Sequence, residues 1–104
     1  MIIEQRDYHV RTGKLNELVG YYADEGIDIQ REVLGNLIGW FTTDIGELST
    51  VVSMWGYENF AEREERRAAL KADPRWPGFI SKIQPLIHTQ RNRILVPTNF
   101  SPLQ

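Results

Sequence analysis

The sequence contains no cysteine. Disulfides, thiolate metal ligands and cysteine nucleophiles are therefore excluded. No apolar run approaches the ~20 residues that a membrane-spanning helix needs, so no membrane partner is expected. Basic charge is not in excess either: 12 Lys and Arg stand against 14 Asp and Glu, a net charge of -2. Nothing in that balance draws the chain onto a phosphate backbone, and nucleic-acid binding is not expected. The GxGxxG, P-loop, GxSxG and HExxH patterns are all missing; dinucleotide, triphosphate, serine-hydrolase and zincin chemistry lose their usual signatures with them. The histidines are two, His9 and His88, and neither has a second histidine at ligand spacing. No metal and no cofactor are expected. The opening residues MIIEQRDYHVR lack the basic-then-apolar order of a secretory leader, so a cytoplasmic location is the expectation.

What is present fits one folded unit. A chain of 104 residues is expected to form a single α+β domain over residues 1–104. Ile2 to Arg11 alternates weakly as a strand, with Ile2, Glu4, Arg6, Tyr8 and Val10 on one face. The period then changes. Leu15, Leu18, Val19 and Tyr22 mark one face of a helix, with Gly26 as a left-handed stop. A second helical piece is expected over Ile27–Leu34, ended by Gly35. A hairpin follows from about Asn36 to Tyr57, turning at Asp44–Glu47. Asn59 and Glu62 have the spacing of a capping pair for the next helix. Asp73-Pro74 is expected to end that helix and to cap another, in which Pro77 sits awkwardly and delays the start. Thr89 to Val96 reads as a last strand.

The resulting order is βαββαβ, the ferredoxin-like arrangement of a four-stranded antiparallel sheet with helices on one face. One feature strains it. In the hairpin, Val51, Ser53, Trp55 and Tyr57 point one way, Val52 and Met54 the other, and Trp40 and Phe41 lie on opposite sides. Large apolar groups on both faces of a sheet covered on one side predict a second copy packed on the uncovered face.

The blocks IEQRDYHVRTGKL, LGNLIGWFTTDIGELSTVVSMWGYENFAEREERRAAL and DPRWPGFISKIQPLI, with NRIL and FSPL after them, resemble the NIPSNAP family from Ile3 to Leu103. The resemblance implies a homodimeric α+β barrel and a bacterial single-domain member. It implies little about activity. Pro77 departs from the family's usual pattern.

Several residues invite functional readings. The aromatic set Tyr8, Trp40, Trp55, Tyr57 and Trp76 can be core, interface or pocket wall, and the first four are candidates for the wall of a cleft between sheet and helices, suited to a small apolar or aromatic molecule. The bland reading of the same residues is core or interface. Because strand register is not readable, part of this set is expected to face the helices and the rest the dimer partner. Tyr8 and His9 are weak candidates for proton transfer; for His9 the bland reading is a polar strand residue beside Gln5 and Asp7. Arg63 and Arg67 lie between the directions of Phe60 and Leu70 on their helix, inside the apolar stripe. An ion-pair network would put each guanidinium on a carboxylate. An anion site would leave at least one facing a cavity without one. Three functions remain open: a small-molecule binder, a cofactor-independent monooxygenase or isomerase of small carbonyl or phenolic compounds, and a protein-interaction module.

Overall fold

The alternation of Ile2–Val10 becomes strand β1, and its even-numbered residues turn inward: Glu4, Arg6, Tyr8 and Val10 are all buried. In the computed structural model, which describes residues 1–104, β1 is followed by α1 (Leu15–Tyr21), α2 (Ile27–Leu34), β2 (Asn36–Thr42), β3 (Thr50–Tyr57), α3 (Phe60–Ala72), α4 (Trp76–Ile83) and β4 (Ile87–Leu95). The strands form one four-stranded sheet in the order β2-β3-β1-β4. Every neighbouring pair is antiparallel, so β1 and β3 are central and β2 and β4 are edges. This is the expected ferredoxin-like α+β fold.

The stop expected at Gly26 is not there. Gly26 has a right-handed φ of -66°, and a π-helical turn over Tyr22–Gly26 joins α1 to α2 without a break. In that turn the Ile27 N–H donates to Tyr22 O, five residues back. Gly26 is small for a packing reason: a Cβ there would stand 2.2 Å from Cζ of Phe79, a ring buried on α4. The real stop is Gly35, whose φ of 92° lies in the left-handed region open to glycine. Other boundaries shift for similarly local causes. The hairpin loop is wider than the expected turn, running from Thr43 to Ser49. Asp73 accepts the Arg75 N–H at 2.9 Å in a turn ahead of α4, and the helix itself starts at Trp76. Pro77 thus falls in the first turn, where its missing N–H costs nothing. The last strand begins at Ile87, earlier than expected. The Asn59 cap forms, with its Oδ1 accepting the Glu62 N–H at 2.8 Å.

Two apolar clusters fill the space between sheet and helices. One joins Tyr8, Val10 and Val51 to Leu18, Tyr22 and Phe79. The other joins Trp55 and Tyr57 to Ile29, Leu34 and Leu70. A bulge in β2 between Leu37 and Gly39 keeps Leu37 opposite Trp55 and Trp40 opposite Ser53. Both Leu37 and Trp40 therefore pack inward. The sheet's outer face is divided. Its β2–β3 half carries Phe41, Val52 and Met54, with Phe41 53% exposed. Its β1–β4 half is polar along Gln5, Asp7, His9, Arg91 and Arg93 and apolar only at one end, where Ile3 pairs with Leu95. Large apolar residues on both faces are thus concentrated in the hairpin.

Replacement of Gly26 by Ala is expected to destabilise the fold by about 1–3 kcal/mol, because the well-packed Phe79 ring must shift to admit the methyl group. Chemical denaturation midpoints of the two proteins measure this. An unchanged midpoint would mean that the ring moves freely.

Candidate functional site

Alternation puts two charged side chains, Glu4 and Arg6, on the buried face of the central strand. Glu4 is wholly inaccessible and Arg6 is 7% exposed. An isolated buried charge is costly, so each must find partners. Glu4 Oε2 accepts from Arg63 Nη2 at 2.8 Å, from Arg6 Nη1 at 3.1 Å and from Asn92 Nδ2 at 3.3 Å. Arg6 Nε donates to Tyr8 Oη at 3.0 Å. The cluster thus spans β1, β4 and α3. Helix α3 joins it because Arg63 and Arg67 are four residues apart on the face that ends in buried Leu70.

Burial by itself pushes the Glu4 carboxyl up. The Arg63 hydrogen bond and the charges of Arg6, Arg63 and Arg67 overcome it and hold the group below its usual range. Arg67 behaves in the opposite sense to Arg63. Burial and the like charge of Arg6 lower its pKa, whereas the bond to Glu4 raises that of Arg63. Arg63 also pairs with Glu64. Arg67 has no ion pair, and its Nη1 is buried without a hydrogen-bond partner. Trp55 Nε1, Tyr57 Oη and Arg63 Nε are buried and unpaired as well. Burial raises the Tyr57 hydroxyl pKa, which keeps it a proton donor.

A cavity of about 150 Å³ adjoins this cluster, bounded by β1, β4, α3 and α4. Its polar wall is Arg6, Tyr8, Arg67, Gln84 and Gln90, and its apolar wall is Trp76, Ile80, Ile83 and Ile87. The residues singled out from sequence distribute around it unevenly. Tyr8 and Arg67 line it directly. Arg63 lies behind it on Glu4. Trp55 and Tyr57 are buried in the second apolar cluster. Trp40 packs on Tyr22, with ring centroids 5.0 Å apart. All four aromatic candidates face the helices, so none of them is left for the outer face, contrary to the expected division. His9 is on the outer face, its Nδ1 3.4 Å from Glu47 Oε1, and takes no part in the cavity.

Glu4 and Arg6 are members of the site that the sequence did not single out. For Glu4 and Arg6 a signal existed: they share a face with Tyr8 and Val10, and charge on a face destined for the core requires an internal partner. Trp76 belongs to the aromatic set read from the sequence, while for Gln84 and Gln90 no sequence signal places them at the cavity.

An antiparallel ferredoxin-like sheet carrying a charged seam and a small cavity beneath its helices defines an α+β class shared by proteins of many activities. The NIPSNAP family model matches residues 3–102, and the chain belongs to that family. A NIPSNAP family protein of Agrobacterium tumefaciens is 51% identical, with a TM-score of 0.97 over 99% of this chain and 98% of that one. An uncharacterized NIPSNAP-like domain protein of Burkholderia xenovorans is 48% identical, with a TM-score of 0.93 over 97% and 88%. Human Protein NipSnap homolog 2 is 34% identical over 104 residues, which cover 99% of this chain and 35% of that protein. The chain thus spans about a third of that relative's length. A putative antibiotic biosynthesis monooxygenase of Nitrosomonas europaea, 12% identical, has a TM-score of 0.68 over 93% of this chain and 98% of its own, and shares the fold alone.

Glu4→Gln is expected to cost about 3–5 kcal/mol at neutral pH, since it leaves the buried Arg6 guanidinium without a counter-charge and removes the buried partner of Arg63, which keeps only Glu64 at the surface. The pH dependence has a definite sign. The folded carboxyl titrates below its ordinary 4.5, so its contribution is complete above that pH and is lost as pH falls through the lowered value. Urea midpoints measured on the acid side should therefore converge for the two proteins. A gap that stays constant as pH falls would rule out the ion-pair origin.

Proposed function

We propose that the protein is a homodimeric binder of a small, mainly apolar or aromatic molecule, held between sheet and helices. One observation carries the binding part: a 150 Å³ cavity joins an apolar wall to the buried polar groups of Arg6 and Tyr8 and to Arg67, whose Nη1 is buried without a hydrogen-bond partner. Small-ligand sites combine apolar lining with a few convergent polar groups in this way. Support for the dimer is the apolar half of the outer sheet face, where Phe41, Val52 and Met54 lie beside one another. A second sheet is the simplest cover for an apolar sheet face, and no helix of the chain is long and apolar enough to cross a membrane.

A second reading, catalysis without a cofactor, has one specific observation in its favour. The Tyr8 hydroxyl stands at the cavity and accepts a hydrogen bond from Arg6 at 3.0 Å, a placement from which a phenol could pass a proton to a bound carbonyl or phenol. His9 lies on the other face of the sheet, beside Asp7, Glu47 and His88. If neither reading holds, an interaction module remains.

Trp76 lies in the cavity wall and serves as reporter. Titration with small aromatic and carbonyl compounds is expected to change tryptophan emission. Trp76→Phe should remove most of that change while calorimetry still detects binding. Turnover that disappears in Tyr8→Phe would favour the enzyme, and binding without turnover the binder. If no compound binds by either method, both pocket readings are wrong.

The dimer is tested separately. Sedimentation equilibrium at micromolar concentration should give twice the chain mass, and Met54→Asp should give the monomer, because a buried unpaired carboxylate is not tolerated at an apolar contact. A folded monomer of the unsubstituted chain would overturn the assembly.

A further inference from the structure

We infer that the molecule bound in the sheet–helix cavity carries a carboxylate, received by Arg67 with Arg6 beside it, and an apolar body of about one ring. This deepens the small-molecule reading above and rests on it.

The first argument is charge. Arg6, Arg63 and Arg67 all act on the Glu4 carboxylate, which is the single buried acid among them. Arg63 is further served by Glu64 at the surface. Arg6 spends Nη1 on Glu4 and Nε on Tyr8. Arg67 alone has no acid, and no Asp or Glu lies in the cavity wall. A guanidinium packed near another guanidinium without a carboxylate of its own is an unusual expense for a fold, and buried polar groups are otherwise almost always partnered. An anion entering the cavity supplies what the chain does not.

The second argument is shape. Guanidinium presents its donors in a planar fork that matches a carboxylate with two parallel hydrogen bonds. The opposite wall, Trp76, Ile80, Ile83 and Ile87, offers nothing to a polar body. A cavity of about 150 Å³ is the size known to hold one benzene ring. An inorganic phosphate would leave the apolar wall uncovered.

The test compares benzoate, benzamide, benzyl alcohol and inorganic phosphate by calorimetry on the unsubstituted protein. Benzoate should bind at least tenfold more tightly than benzamide or benzyl alcohol, and phosphate should neither bind as well nor displace it. Arg67→Met should weaken benzoate at least tenfold and leave benzamide unchanged. Arg67→Lys, which keeps the charge without the fork, should fall between. Thermal unfolding without ligand should show Arg67→Met no less stable than the parent, which separates a binding role from a structural one. If benzamide or benzyl alcohol binds as tightly as benzoate, the anion assignment fails while the pocket stands. Phosphate binding equal to benzoate overturns the apolar body. Absence of binding by all four overturns this inference and the small-molecule reading with it.

Discussion

The structure depends on a carboxylate that water does not reach. Glu4 sits on the central strand with zero exposure and draws Arg6 from its own strand, Asn92 from β4 and Arg63 from α3. Elsewhere the sheet and helices are joined by apolar contact, which tolerates small displacements. A shared charge does not, because its partners must meet one oxygen within hydrogen-bond distance. The position of α3 over the sheet is therefore fixed at Glu4 more narrowly than packing alone would fix it. The cavity is a by-product of that arrangement: α3 brings Arg67 along with Arg63, and the seam has acid enough for one of them.

Apolar packing sets the remainder. Phe79 on α4 enters the gap left by Gly26 and stacks edge-on against Tyr22, with centroids 4.9 Å apart. Trp76, one turn earlier, lies 5.2 Å from Phe79 and turns its other side to the cavity. Exposed ion pairs tie the same helix down at both ends, Arg75 to Glu32 and Lys82 to Glu25. Such surface pairs are worth little singly. Their value here is in orienting α4, whose inner face is the apolar wall of the cavity.

Much of the fold was legible in the residue pattern, and less of the site. Alternation and the 3.6-residue period identified every strand and the main helices, because burial on one side writes itself into the sequence. Gly26 was misread because its local meaning, a helix stop, was overridden by a contact with Phe79, far along the chain. The directions of Arg63 and Arg67 could be derived from helix geometry. Their different fates could not, since these depend on where a single strand residue, Glu4, comes to lie beneath α3. The common facing of Tyr8, Trp40, Trp55 and Tyr57 required the β2 bulge and the cross-strand register, neither of which a single strand's pattern encodes.

The π-helical turn at Tyr22–Gly26 has a consequence for phase. A regular helix advances 3.6 residues per turn, and a five-residue hydrogen-bonded loop absorbs one more. The apolar stripe of α2 is thereby rotated by roughly one residue step, about 100°, from the line that α1 would have continued. That rotation lets one unbroken helix serve two separate cores: Leu18 and Tyr22 enter the first, Ile29 and Leu34 the second. The turn is thus a frame shift written in three dimensions. Removing one residue from it would restore a regular turn and leave Ile29 and Leu34 directed at Trp55, whereas winding the same residues as regular α-helix would rotate α2 by about 100° and swing both side chains away.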